Sequence, residues 1–305
     1  MNKQLPDKKL FTEKAVADAV RSACVAELRA LKPGNVTVYK AGHGMRMLDF
    51  ELSADAIAPV LAQAGLSVGE RILGAIQATR RVVDCNTNLG IVLLCAPLAH
   101  AALQLRARQS LRAALSDTLR ELGVGDAQLA YEAIRLAEPG GMGVAAEHDI
   151  SELNPRVTLL QAMREAARYD GIACQYTSDY AEVFELAVPQ YYASLARWGS
   201  ETWATTETYL DLLAAVPDTH IARKFGRQSA QEVSAEASRL LENLDRQGTN
   251  KQMVAQLLDF DNELKEKGIN PGTTADLTVT TLTVGRLQDH VDCASGDIFH
   301  RTGTR

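Results

Sequence analysis

The chain has 305 residues, enough for roughly two domains of about 150 residues or for one large helical unit. With 46% hydrophobic residues, 23% charged residues and only 9 prolines, it is neither a disordered nor a collagen-like chain. Lys and Arg total 32 against 38 Asp and Glu; the resulting net charge of -6 gives no global basic field for nucleic acid or an anionic membrane, so any phosphate site must be local.

The N-terminal stretch is polar and lysine-bearing, without the apolar run of a secretory signal. The five cysteines are odd in number, widely spaced and lack a C-x-x-C pair, which fits a reduced, cytoplasmic setting. Hydrophobic periodicity is helical almost throughout and predicts an all-α fold, a single compact multi-helix domain over residues 1–305. Helices are expected over 13–31, 54–64, 69–83, 87–105, 110–122, 126–137, 157–169, 178–198, 201–215, 229–244 and 251–267. Ser53 and Asn86 read as N-terminal caps, because short polar side chains satisfy the free amides of a first turn. The uncharged segment 89–105 falls short of the about 20 residues of a membrane span and contains Gly90, Pro97 and His100, so it predicts a buried core helix. Residues 277–284, LTVTTLTV, favour a strand by composition. A lone strand would have no pairing partner, and a helix is therefore expected there.

Five polar or glycine-rich clusters lie between these helices. The first is Lys32-Pro33-Gly34-Asn35, followed by His43 in a long loop; it reads equally as a Pro/Gly helix stop. The second, Asn86-Thr87-Asn88 before Leu89 and Gly90, heads the most apolar helix, where free amides and the helix dipole favour an anion or a simple cap. In the third, Gly140, Gly141 and Gly143 would let backbone approach a ligand closely, with Glu147, His148 and Asp149 just beyond. It is not a nucleotide P-loop, since no G-K-[ST] follows. The fourth, PDTHIARKFG from Pro217 to Gly226, sets Asp218 beside Arg223 and Lys224. Those cations could hold phosphates and the carboxylate could take magnesium or a proton; a charged helix is the plainer reading. The fifth, NPGTTAD, ends at Asp276 in the first turn of the last helix, where a carboxylate also complements the dipole. His100, His290 and His300 read as packing or surface residues, and Cys85 and Cys95 have no base beside them that would make a nucleophile.

Together the segments KPGNV, F-x-x-S-A at 50–54, NTNLGIVLLCAPLA, PGGMG, PDTHIARKFG and NPGTTADL resemble the triphosphoribosyl-dephospho-CoA synthase family over nearly the whole chain. Where citrate- and malonate-decarboxylase members carry N-T-H-K-G, this chain has Asn86-Thr87-Asn88-Leu89-Gly90, and its motifs look like a branch of archaea and one-carbon-using bacteria. The resemblance implies an all-α transferase in which an acceptor hydroxyl attacks the ribose C1 of ATP and releases adenine. Such a reaction builds positive charge at C1 and needs a carboxylate, a base, and magnesium with cationic donors for the triphosphate. The resemblance thus puts Lys32, Asn35, Arg223 and Lys224 on phosphates, and Asn86, Thr87 and Asn88 against the nucleotide. Gly140, Gly141 and Gly143 would close backbone over it, and Asp218 and Asp276 would serve as magnesium ligands or base. Glu147, Asp149 and His43 are reserves for proton transfer. Small phosphorylated substrates are the expected partners, with a homodimer as candidate assembly and neither nucleic acid nor membrane. A transferase of one-carbon cofactor (methanopterin- or methanofuran-type) synthesis and a noncatalytic nucleotide-binding helical protein are the alternatives.

Overall fold

In the computed structural model, residues 10–37, 45–139, 155–244 and 251–295 are described. They form fourteen α-helices and no β-sheet among the described residues, as the periodicity predicts. The first six are α1 (Glu13–Arg29), α2 (Met47–Ala62), α3 (Val68–Val82), α4 (Leu89–Gln104), α5 (Leu111–Glu121) and α6 (Val124–Ala137). Then come α7 (Leu159–Ala166), α8 (Gly171–Thr177) and a π-helical turn (Glu182–Ala187) that runs into α9 (Val188–Trp198). The chain ends with α10 (Glu201–Ala215), α11 (Thr219–Phe225), α12 (Arg227–Glu242), α13 (Lys251–Glu266) and α14 (Gly272–Ser295).

Short polar residues start many of these helices by accepting an orphan amide: Thr12 for α1, Ser110 for α5 and Ser200 for α10, with Ser67/Glu70 and Thr158/Gln161 forming reciprocal boxes at α3 and α7. Ser53 is a correction. Helix α2 begins at Met47, so Ser53 lies inside it, donating to the Asp49 carbonyl (2.6 Å) and meeting the Thr87 hydroxyl (2.7 Å). The segment 178–198 is also not one α-helix: Asp179 and Tyr180 take left-handed φ of 50° and 56°, and the π-helical turn follows.

Helix α4 is buried along nearly its whole length and forms the axis of the larger apolar cluster, to which α1–α10 and α14 contribute. Among the described residues no helix is long and apolar enough to cross a membrane. Pro97 within α4 has no N–H to give the Leu93 carbonyl four residues back. The Tyr176 hydroxyl fills that place at 2.6 Å, and Tyr180 reaches the Leu94 carbonyl at 3.0 Å. The 277–284 run is helical within α14. Thr278, Thr280, Thr281 and Thr283 each return a hydroxyl to the carbonyl four residues earlier at 2.8–2.9 Å, while Leu277, Val279, Leu282 and Val284 are buried. Tertiary burial overrides β-propensity here.

A second apolar cluster joins α10, α11, α12 and α13 with Leu31 and Ala275. Helix α14 contributes Ala275 to this cluster and Leu277 onward to the first, so its N-terminal turns mark where the two adjoin. The motif residues gather at that junction.

Candidate active site

The KPGN segment leaves α1 and is clamped by α10, α13 and the turn before α14. Lys32 is 0% exposed, and its ammonium donates to Glu27 Oε1, Asn35 Oδ1 (3.0 Å) and the Val36 carbonyl (3.0 Å). Burial lowers the Lys32 ammonium, opposed mainly by Glu27; burial raises the Glu27 carboxyl, opposed by Lys32. Asn35 donates to Asn270 Oδ1 (2.8 Å), tying the first motif to the fifth. Gly34 has φ +83°, and a Cβ there would lie 2.8 Å from Pro271 Cδ; its amide donates to Asp261 Oδ1 at 2.9 Å. Tyr209 closes the clamp on the Pro33 carbonyl at 2.8 Å. Lys32 and Asn35, expected on phosphates, therefore spend their polar groups inside the protein. This corrects their assignment as direct ligands: a lysine with three internal acceptors has no N–H left for a phosphate.

The starts of α4, α8, α11 and α14 converge beside this clamp. Asp218, 2% exposed, caps α11 through Oδ1 on the Ile221 amide (3.0 Å) and holds α14 through Oδ2 on the Thr274 amide and hydroxyl (2.8 Å each). Burial raises its carboxyl despite these bonds. Both oxygens are thus committed to joining two helices, where a base or magnesium ligand was expected. Asp170 caps α8 through Oδ1 on the Ile172 and Ala173 amides (2.8 and 3.0 Å), and its Oδ2 pairs with Arg223. Thr219 links the same two segments, accepting from the Gly171 amide at 3.0 Å and meeting the Thr273 hydroxyl at 3.1 Å.

Asp276 differs from its neighbours. Helix α14 begins at Gly272, so Asp276 stands beyond the first turn and is no dipole complement, contrary to the expectation. Half-buried, its carboxylate takes no hydrogen bond among the described residues and lies against the head of α4, where a Cβ on Gly90 would sit 2.0 Å from Oδ2. Burial, reinforced by the carboxylates of Glu27, Asp218 and Asp170, lifts the Asp276 carboxyl well above the usual range, with Arg223 as the opposing charge.

The Asn86–Asn88 segment splits in function. Asn86 does cap α4, accepting the Leu89 amide at 3.1 Å, whereas Asn88 turns inward to Thr79 (3.0 Å) and Thr87 to Ser53. Asn88 and Glu27 nonetheless line one narrow cleft between α1, α2 and α4, with Leu28, Phe50, Ile57 and Ile91 as apolar walls. Lys224 is solvent-exposed and has no hydrogen-bond or ion-pair partner among the described residues. His43, Gly140, Gly141, Gly143, Glu147 and Asp149 lie outside the described residues. Among the described residues no group of three His, Cys, Asp or Glu side chains is placed to hold a metal ion.

The structure thus brings Asp218, Asp276 and Arg223 together and adds Glu27 and Asp170, which the motif reading missed. Glu27 had a usable signal: it falls on the helical stripe of Val16, Val20 and Ala23, a register otherwise reserved for the core. Asp170 carried only a weak one, a potential cap ahead of Gly171-Ile172-Ala173.

Carboxylates drawn out of water thus gather where four helices of this all-α fold begin, the kind of cluster that marks a candidate functional site. The chain belongs to the ATP:dephospho-CoA triphosphoribosyl transferase family, which it matches over residues 13–294. It is 30% identical over 167 residues to a Pectobacterium carotovorum subsp. carotovorum (strain PC1) protein named "Probable 2-(5''-triphosphoribosyl)-3'-dephosphocoenzyme-A synthase", a match covering 54% of this chain and 48% of that protein. The chain thus spans about half the length of this curated relative. A solved structure from Archaeoglobus fulgidus, described as a "putative triphosphoribosyl-dephospho-coA synthase", shares the fold with a TM-score of 0.60 at 22% identity, covering 76% of this chain and 96% of its own.

Proposed function

We propose that this protein transfers the triphosphoribosyl group of ATP to the hydroxyl of a nucleotide-type acceptor such as dephospho-CoA, releasing adenine, in a cytoplasmic setting. The observation that carries the reading is Asp276: a carboxylate free of hydrogen bonds, held against Gly90 and ringed by Glu27, Asp170 and Asp218. Breaking the bond between ribose and purine develops positive charge at C1 and leaves the purine needing a proton; the neighbouring carboxylates suit the charge, and Asp276, whose ionised form is disfavoured, suits the proton. Arg223 and the unpaired Lys224 are the cations at the rim for the triphosphate. Magnesium enters as part of the ATP complex. Asp218 has no oxygen to spare for it, and the surroundings of Asp276 disfavour its ionised form, so phosphate and water oxygens hold the ion.

The test is incubation with magnesium, ATP and dephospho-CoA, following adenine by chromatography and the conjugate by mass. Asp276→Ala should abolish adenine release while the protein stays folded. A wild-type protein that leaves ATP intact with every phosphorylated acceptor tried refutes the reading.

A further inference from the structure

Two carboxylates of this centre have opposite electrostatic partners, and the difference divides their work; the argument rests on the transfer reading above. Glu27 is 5% exposed and lines the cleft beside Asn88 and Phe50. Its Oε1 is held by Lys32, while its Oε2 takes no hydrogen bond among the described residues. Lys32 has three acceptors, Glu27 Oε1, Asn35 Oδ1 and the Val36 carbonyl, and only an ammonium has three protons to give them. An ammonium fixed in that place favours the ionised form of Glu27, opposing the burial that raises its carboxyl. Asp276 has no cation bonded to it: the nearby guanidinium of Arg223 is taken by Asp170, and three carboxylates face it. One carboxyl group bonded to an ammonium and a second with no cation bonded to it are the pairing that divides base from acid.

We propose that Glu27 is a second catalytic carboxylate, taking the proton of the acceptor hydroxyl, while Asp276 supplies the proton that the departing adenine needs. The bond from ribose C1 to the purine breaks with its electron pair going to the ring, and a ring nitrogen receives the proton of Asp276. The acceptor oxygen bonds to C1 as its own proton passes to Glu27. One proton is taken up and one delivered per turnover, and exchange with solvent restores both groups.

The experiment compares ATP with its ring-methylated analogue, in which the purine carries a positive charge and leaves without a proton. Asp276→Asn should lower kcat with ATP by about 10²–10⁴-fold and recover most of it with the methylated donor. Glu27→Gln should lose a similar factor with both donors and keep its KM for ATP, because methylation does nothing for the acceptor hydroxyl. If Glu27→Gln does not melt cooperatively, the pair Glu27→Gln with Lys32→Met buries no charge and gives the same readout. Turnover of ATP by either Glu27 variant within threefold of wild type, or its rescue by the methylated donor, overturns the assignment. A wild-type protein that yields no purine base from either donor sinks the transfer reading itself, and this division of labour with it.

Discussion

Replacing Gly90 by Ala tests the geometry of the site with a single methyl group. An alanine Cβ at this position would lie 2.0 Å from Asp276 Oδ2 and 2.5 Å from its Cγ, against an ordinary contact of at least about 3.4 Å. The carboxylate must therefore retreat by more than an ångström, and the backbone of α4, packed in the core, has no room to retreat instead. Alanine is otherwise the better helix former by about 1 kcal/mol, and overpacking costs about 1–3 kcal/mol, so net destabilisation should be small, about 0–2 kcal/mol. Activity should suffer far more, because a misplacement of about 1 Å at a reacting group costs on the order of 10²-fold. Chemical denaturation and adenine release measure the two effects. A double-mutant cycle with Asp276→Ala should show that the stability cost of Gly90→Ala disappears once the carboxylate is gone, a coupling of about 0.5–3 kcal/mol. A Gly90→Ala protein with full activity, or a cycle with no coupling, refutes the close approach as the reason for glycine here.

Further outcomes follow from the same contacts. Because the Asp276 carboxyl is raised in the folded state, folding binds a proton between the unfolded value of about 3.9 and the folded one, and stability falls as pH rises through that window. Asp276→Asn should therefore raise Tm at neutral pH, with the gain vanishing towards pH about 4; a Tm difference independent of pH argues against it. Asp218→Ala frees two buried amides and a hydroxyl and should cost about 2–4 kcal/mol in urea unfolding, whereas loss of turnover at unchanged stability would make Asp218 a direct participant after all. Lys32→Met strands Glu27 and should cost about 3–5 kcal/mol, most of it recovered when Glu27→Leu is added; a double variant no more stable than the single one would contradict the buried pair.

The all-α class was legible because most helices carry their own start signal and a long apolar stripe, and α10 runs over the expected 201–215. Helix α2 was read short at its start because its cap is Arg46, with Asp49 accepting the Arg46 amide at 2.7 Å, a pairing without the Ser, Thr, Asp or Asn that marks most helix starts. Helices α8 and α11 have seven residues each, too few for a period to show, and their N-terminal ends are fixed by Asp170 and Asp218. Several motifs meet where the helix starts converge, but residue type alone misassigned Lys32. A lysine beside Pro-Gly-Asn looks like a phosphate ligand until Glu27, five residues back on the buried face of α1, is seen to hold it. Asp218 and Asp276 have the same side chain, and sequence could not separate them. Only the Thr274 amide on one and the Gly90 backbone against the other make the first a joint between helices and leave the second without a hydrogen bond among the described residues.

Helix α14 also shapes how this protein fails. Its LTVTTLTV run is kept helical by burial in the larger apolar cluster and by hydroxyls turned back onto their own helix. Released from those neighbours it is an uncharged, proline-free, β-branched octet, the composition that self-associates as stacked strands. Heat should thus carry the protein past unfolding into irreversible aggregation seeded by this segment. Its practical endurance is then a lifetime, governed by how rarely α14 comes loose, and the threonines that keep the helix slender in the core are the same ones that make its loss hard to reverse.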